Sequence, residues 1–226
     1  QHVRDIALLG IVLVSPLATA LNTYLKQTKF RVIMAVLIVV LVAIDSTRFH
    51  RMHFDIDPLL APISSADTIA KYSQSSNILN FYHLGNYLAW RLSDTHKVII
   101  DGRNFKDNNS LRLHDALFSA QPGWQNSLVR YDIDAIVTPV TLPYSGNFIP
   151  LVFELIHNPN WRFLSREPAG VVFIRRDRVD DDIEVLPERE LWLQAKDELK
   201  TNLSYFPDSD SSIKSLKIVE RYLQEN

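Results

Sequence analysis

From Ile6 to Leu25 the chain runs for 20 residues without a charged side chain. At about 1.5 Å per helical residue, such a run is roughly 30 Å long, the thickness of one bilayer core. Pro16 falls in its middle, which a membrane helix tolerates when its neighbours satisfy the freed carbonyl. The next apolar run, Val32–Ile44, has 13 residues and reaches spanning length only if Arg31 snorkels and Asp45 sits at the interface. Residues 1–47 are therefore expected to form a two-helix transmembrane hairpin. The competing readings are a buried hydrophobic hairpin in a soluble core, or a signal peptide followed by a core strand. The length of the first run and the lack of an A-x-A cleavage site disfavour a signal peptide. Three cations in the Lys26–Arg31 connector place that loop on the cytoplasmic side. The expected location is thus a multi-pass protein of the cell membrane with its soluble domain extracytoplasmic and the lipid bilayer as a partner. A chain that opens on Gln1 rather than Met is expected to be a fragment or a processed product.

The remainder has a different character. Residues 1–47 hold 4 basic and 2 acidic groups, leaving 20 and 24 for the rest, so the mild net charge of −2 hides an acidic, soluble-like part. That balance is no nucleic-acid footprint, and none is expected as a partner. The absence of Cys excludes a disulfide framework, a CxxC zinc site and a cysteine nucleophile. After a linker over 48–66, short apolar runs alternate with helix-like stretches. Ile78–Tyr82, Val98–Ile100, Ala135–Thr138, Trp161–Leu164 and Val171–Ile174 read as strands. Gly85–Leu92, Ser110–Ser119, Gly123–Tyr131 and Phe148–His157 read as helices between them. The alternation predicts an α/β domain over 67–176 with a mainly parallel sheet, and Pro168-Ala-Gly170 predicts a hairpin for the last two strands. Charged residues 177–187 read as a linker. Residues 188–226 read as a helical hairpin, similar to a single tetratricopeptide unit, that must pack on something else to bury its face. The expected fold class is therefore a membrane-anchored α/β protein with a transmembrane hairpin at one end and a helical hairpin at the other.

Chemistry concentrates between Asn77 and Asn104. A strand, a turn at Gly85, a helix and a second strand bring two strand ends to one edge, where an open α/β sheet forms its ligand crevice. Tyr82, His83, Asp101, Arg103 and Asn104 are the candidate binding residues there. Asp101 and Arg103 can hold a phosphate or a hydroxyl-rich group, or simply pair with each other to stabilise the turn. The stretch resembles a motif of the C-terminal extracytoplasmic domains of bacterial C-type glycosyltransferase-like membrane proteins. The shared residues are Asn80, Gly85, Tyr87, Leu88, Trp90, Arg91, Lys97, Val98, Ile100, Asp101, Gly102 and Arg103, and the likeness covers roughly residues 77–176. It is more distantly similar to oligosaccharyltransferase catalytic subunits. Where those carry a WWDYG motif, this chain has Phe81–Gly85 and shares only the glycine. The resemblance implies sugar transfer from a polyprenyl-phosphate donor, with this region shaping the acceptor side. It places the catalytic acids and any divalent metal upstream, so no catalytic residue or cofactor is assigned here. The alternative is a noncatalytic membrane-anchored interaction module that docks a protein partner through the helical hairpin or the crevice.

Other signals are weaker. Asp55-Ile-Asp57 resembles a DxD element, but Asp132-Ile-Asp134 and Asp208-Ser-Asp210 share its spacing. His50 and His53 lie three apart beside Arg48 and Arg51, which suits lipid headgroups better than a metal. No P-loop, G-x-S-x-G or HExxH motif occurs. Trp90, Trp124, Trp161 and Trp192 read as core anchors, and Asn108-Asn-Ser110 and Asn202-Leu-Ser204 match the glycosylation triplet.

Overall fold

The computed structural model describes residues 61–73, 77–102 and 108–226. They begin with α1 (Ile63–Tyr72), β1 (Asn77–Asn80), a 3-10 turn (Tyr82–Leu84), α2 (Gly85–Leu92) and β2 (Lys97–Val98). Next come α3 (Asn108–Phe118), α4 (Trp124–Arg130), β3 (Ile133–Thr138), α5 (Pro150–Ile156), β4 (Trp161–Glu167) and β5 (Gly170–Arg175). A 3-10 turn (Arg176–Arg178) leads to α6 (Glu188–Tyr205) and α7 (Asp210–Glu225). All of these elements belong to one unit, residues 56–226.

The five strands lie in the order β2-β1-β3-β5-β4. β1 pairs parallel with both β2 and β3, while β5 runs antiparallel to β3 and to β4. Alternation along the strands sends side chains to two faces. Ile78, Ala135, Val137, Val172 and Ile174 meet Ala66 and Ile69 of α1 and Leu88 and Leu92 of α2. Leu79, Ile136 and Phe173 face the other way, into a larger cluster with Leu117, Leu128, Leu151, Leu191 and Val219 from α3 to α7. The sheet is thus sandwiched between two helical layers, and burial on both faces makes β3 apolar with little alternation.

This architecture corrects the expected fold class. The sheet is mixed rather than mainly parallel, because β4–β5 enters as a hairpin beside β3. Among the described residues, no helix is long and apolar enough to cross a membrane. The 18-residue α6 has the length but carries Glu188, Glu190, Lys196, Asp197, Glu198 and Lys200, so it is amphipathic and packs on the sheet. The transmembrane hairpin is therefore not part of the fold that the described residues form. The expected spans over 1–47, His50, His53, Asp55 and Asp57 lie outside the described residues.

Trp90 is a second correction. It is 70% exposed, with an edge-on contact to Tyr87 at 5.7 Å. Helix α2 buries Gly85, Leu88 and Leu92, and a residue two beyond Leu88 lies about 200° round the helix, facing solvent. The other three tryptophans do anchor the core. Trp124 and Trp161 are buried, and Trp192 stacks on Tyr222 at 4.4 Å among Phe148 and Phe153.

Segment 177–187 is tied down at both ends. Arg178 pairs with Asp132, just before β3, and with Asp134 within it, and the Leu186 amide donates to the Phe163 carbonyl of edge strand β4 at 2.8 Å. Beyond it, α6 and α7 bury Leu191, Ala195, Leu199 and Val219 in the main core.

Candidate functional site

Strands β1, β2 and β3 end at one edge of the sheet, so the chain that follows each of them decides what a ligand meets there. After β1, Asn80 is fully buried and spends its amide on backbone. Its Nδ2 donates to the Ile100 carbonyl at 2.8 Å and to the Phe81 carbonyl at 3.1 Å, while Oδ1 accepts from the Ile100 amide at 3.4 Å. Gly85, opening α2, lies so close to the same segment that a Cβ would stand 2.0 Å from the Ile100 oxygen. One turn on, Asn86 Oδ1 accepts from the Gly102 amide at 2.9 Å. Asn86 sits in the first turn of α2. These contacts account for Asn80, Gly85, Ile100 and Gly102 of the motif through backbone packing alone.

The structure does bring the Tyr82–His83 turn and the Asp101 turn to one edge. Asp101, however, is only 2% exposed, and Tyr82 and His83 are half-buried. The His83 ring meets Phe81 edge-on at 5.3 Å, and Phe81 also touches His114 at 5.6 Å and Phe118 at 5.4 Å. Burial lowers the His83 pKa. Burial also lowers that of His114, outweighing the attraction of Asp115 at 3.3 Å. Both imidazoles are therefore neutral near pH 7, and His114 Nε2 is buried without a hydrogen-bond partner. Arg103 and Asn104 lie outside the described residues. Among the described residues, no group of three or more His, Asp or Glu is placed to hold a metal ion.

The loop after β3 is pinned from a distance. Glu198 on α6 accepts from the Val140 amide at 3.0 Å, from the Thr141 amide at 2.7 Å and from the Thr141 hydroxyl at 2.8 Å. Gln194 Nε2 adds a fourth bond at 3.0 Å and also donates to the Glu167 carbonyl at 2.8 Å. The carboxylate is enclosed although the residue as a whole is only half-buried, and this burial raises its pKa against the opposing pull of its four donors. No local pattern in the sequence marks Glu198, which acts on residues 57 and 58 positions away.

At the opposite end of the sheet a groove of about 800 Å³ opens between α4 and the end of β5. Trp124, Gln125, Val129, Asn160, Arg175 and Arg176 are among its lining residues. Its charges are neutralised in pairs: Arg175 holds Asp177 through two bonds of 2.6 and 2.9 Å, and Arg176 meets Asp181 at 3.2 Å. Behind them, the β1–β3 register skips Asp134, leaving it in a bulge. Its buried carboxylate lies 3.3 Å from Arg175 and 3.2 Å from Arg178, without hydrogen-bond geometry to either. Burial raises its pKa despite these two cations. The Asp132–Asp134 pair is thus an ion-pair hub and not a metal-binding DxD.

The surface residues that sequence reasoning missed are aromatic. Tyr144 is 84% exposed and Tyr205 is 69% exposed, with Phe206 and Leu142 beside them in the chain. Two adjacent aromatics at a helix break, Tyr205-Phe206-Pro207, are the one sequence signal that marks them. Asn202 of the second glycosylation triplet is buried and donates to the Pro143 carbonyl, so it is no glycan acceptor in this fold. The glycosyltransferase expectation gains no support from the described residues, where the motif positions Asn80, Gly85, Ile100 and Gly102 serve the backbone. No family model matches the chain, and no curated protein or solved structure is significantly similar to it.

Proposed function

We propose that the 61–226 region is a noncatalytic binding module that docks a protein partner. The observation that carries this reading is the contrast between inward polar groups and outward aromatic ones. At the strand-end edge, Asn80 serves backbone, Asp101 is buried, and His83 and His114 are held neutral in an aromatic cluster. Trp90, Tyr144 and Tyr205, by contrast, hold most of their surface in water. Aromatic side chains are enriched where proteins dock.

Site-specific photo-crosslinking tests the reading. A photoreactive residue replacing Trp90 or Tyr144 in the full chain, expressed in the cells that make it, gives a discrete adduct of fixed mass from at least one position. The same residue at exposed Glu154 on α5 gives none. No adduct from either aromatic position, or equal adducts from the Glu154 control, sinks the proposal.

A further inference from the structure

The loop after β3 and the turn between α6 and α7 form one fixed corner. The loop closes on itself through the Gly146 amide to the Leu142 carbonyl and the Leu142 amide to the Asn147 carbonyl, both 2.8 Å. Gly146 has φ +67° and lies against Ser212, whose Oγ would stand 2.2 Å from any Cβ there, so only glycine fits without a shift. Three side chains from the hairpin then hold the loop. Asn202 donates to the Pro143 carbonyl, Ser211 donates to the Ser145 carbonyl, and Ser212 donates to Asn202 Oδ1 at 3.0 Å. Ser209 caps α7 by accepting from the Ser212 amide at 3.3 Å. With its polar groups satisfied internally, the corner is preorganised.

What this corner turns to solvent has a definite chemistry. Tyr144 and Phe206 meet edge-on at 6.5 Å, with exposed Tyr205 and Leu142 beside them in the chain. Asp208 and Asp210 follow directly on the same turn, both exposed. Neither makes an ion pair among the described residues, and Lys214, one turn along α7, is not bonded to Asp210. Aromatic faces attract cations through their quadrupole, and adjacent carboxylates add to that attraction. The same carboxylates repel anionic headgroups, so the patch is unsuited to an anionic lipid surface.

Resting on the binding-module reading, we propose that this corner docks a cationic segment of the partner protein. Lys or Arg side chains of that segment lie over Tyr144, Tyr205 and Phe206, and Asp208 and Asp210 match their charge. The chain's acidic soluble part fits such a partner and also steers it in, with a dependence on ionic strength.

The test uses the full 226-residue chain and a labelled, acetylated decapeptide with three arginines spaced by glycine and serine, read by fluorescence anisotropy. The parent binds it, and the same peptide with glutamine for arginine does not compete. Tyr144→Ala, and separately the pair Asp208→Asn with Asp210→Asn, weaken binding about tenfold or more with an unchanged Tm. The pair Asp180→Asn with Asp182→Asn, equal in charge removed and also exposed, leaves it unaltered. No measurable binding, or equal weakening by the Asp180/Asp182 control, overturns the proposal. Self-association in light scattering that Tyr144→Ala abolishes overturns it in favour of a second copy as occupant. If the peptide fails while a crosslink from position 144 still forms, the cationic chemistry falls and the binding-module reading stands.

Discussion

The turns that follow β2 and β3 are built on one device: a buried side chain bonds the backbone of a loop that no strand or helix satisfies. They differ in where the device comes from and in what it leaves outside. At the β2 turn, Asn80 reaches Ile100 across 20 residues and Gly85 packs against the same peptide. That edge closes upon itself, with Asp101 sealed in. At the β3 turn, Glu198, Asn202 and Ser211 reach back 57 to 66 residues, and the loop they hold presents Tyr144 to water. Backbone satisfaction can therefore bury a strand end or display it. Which of the two results depends on whether the side chains beyond the pin are themselves covered.

Substitution at the tightest contact has the largest expected effect. Gly85→Ala places a Cβ 2.0 Å from the Ile100 oxygen, and both partners are backbone, so neither can swing aside. Overpacking of this kind costs about 3 kcal/mol or more. Urea unfolding of the variant against the parent measures it. A loss below about 1 kcal/mol would mean that the two segments part easily, and the contrast between a closed and an open edge would go with it.

The two pins come next. Asn80→Ala leaves the Ile100 carbonyl without its amide partner in a buried position, at a cost of about 2–3 kcal/mol. Glu198→Gln keeps one acceptor oxygen but turns a second donor toward the Val140 and Thr141 amides, at a cost of about 1–2 kcal/mol. The pH sharpens this. Burial raises the Glu198 pKa, so the folded chain keeps that proton to a higher pH than the unfolded chain does. Parent stability then falls as pH rises from the ordinary glutamate value through the raised one. Glu198→Gln lacks that fall, and thermal melts across the interval read the difference.

These elements differ in how far the sequence revealed them. Three parallel strands and a terminal hairpin were legible because each strand is a short apolar run next to its own turn signal, such as Pro168-Ala-Gly170. The motif from Asn80 to Gly102 was visible as a cluster, but a cluster does not tell whether its polar groups bond a ligand or the neighbouring peptide. That depends on Ile100 lying within 2.8 Å of Asn80, which is a tertiary fact. Glu198 was invisible because one glutamate on an amphipathic helix looks like any other. The mixed sheet escaped because hairpin β4–β5 chooses β3, not its own edge, as neighbour, and local pattern is silent on that choice.

Histidines give a smaller, pH-dependent effect. His83 and His114 at the closed edge, and His96 just before β2, are all held below the ordinary imidazole range by burial. Below about pH 6.5 the unfolded chain takes up these protons more readily than the folded chain does, so stability falls as pH falls through that range. His114 packs on Phe118 at 4.4 Å, and His114→Phe keeps a ring there while removing the proton site. The variant loses less stability than the parent as pH falls from about 6.5 to about 5.5. Parallel pH slopes would show that His114 takes its proton in the folded state, and so that this edge opens to water.

The smallest effect belongs to Trp90, and it separates the two kinds of tryptophan. Trp161 is buried at the start of β4 beside Phe163, and removing its ring to leave alanine costs about 3–5 kcal/mol. Trp90 shares its residue type and stands in a motif that marks it equally, yet most of its surface already lies in water. Its edge-on contact with Tyr87 at 5.7 Å is worth on the order of 0.5 kcal/mol. Trp90→Ala therefore melts within about 2–4 °C of the parent, while Trp161→Ala loses the cooperative transition or shifts it by ten degrees or more, roughly. If Trp90→Ala instead destabilises the full chain as strongly as Trp161→Ala, the indole is covered by another part of the same molecule. The outward aromatic surface would then shrink to the corner around Tyr144, and partner docking would have to be sought there alone.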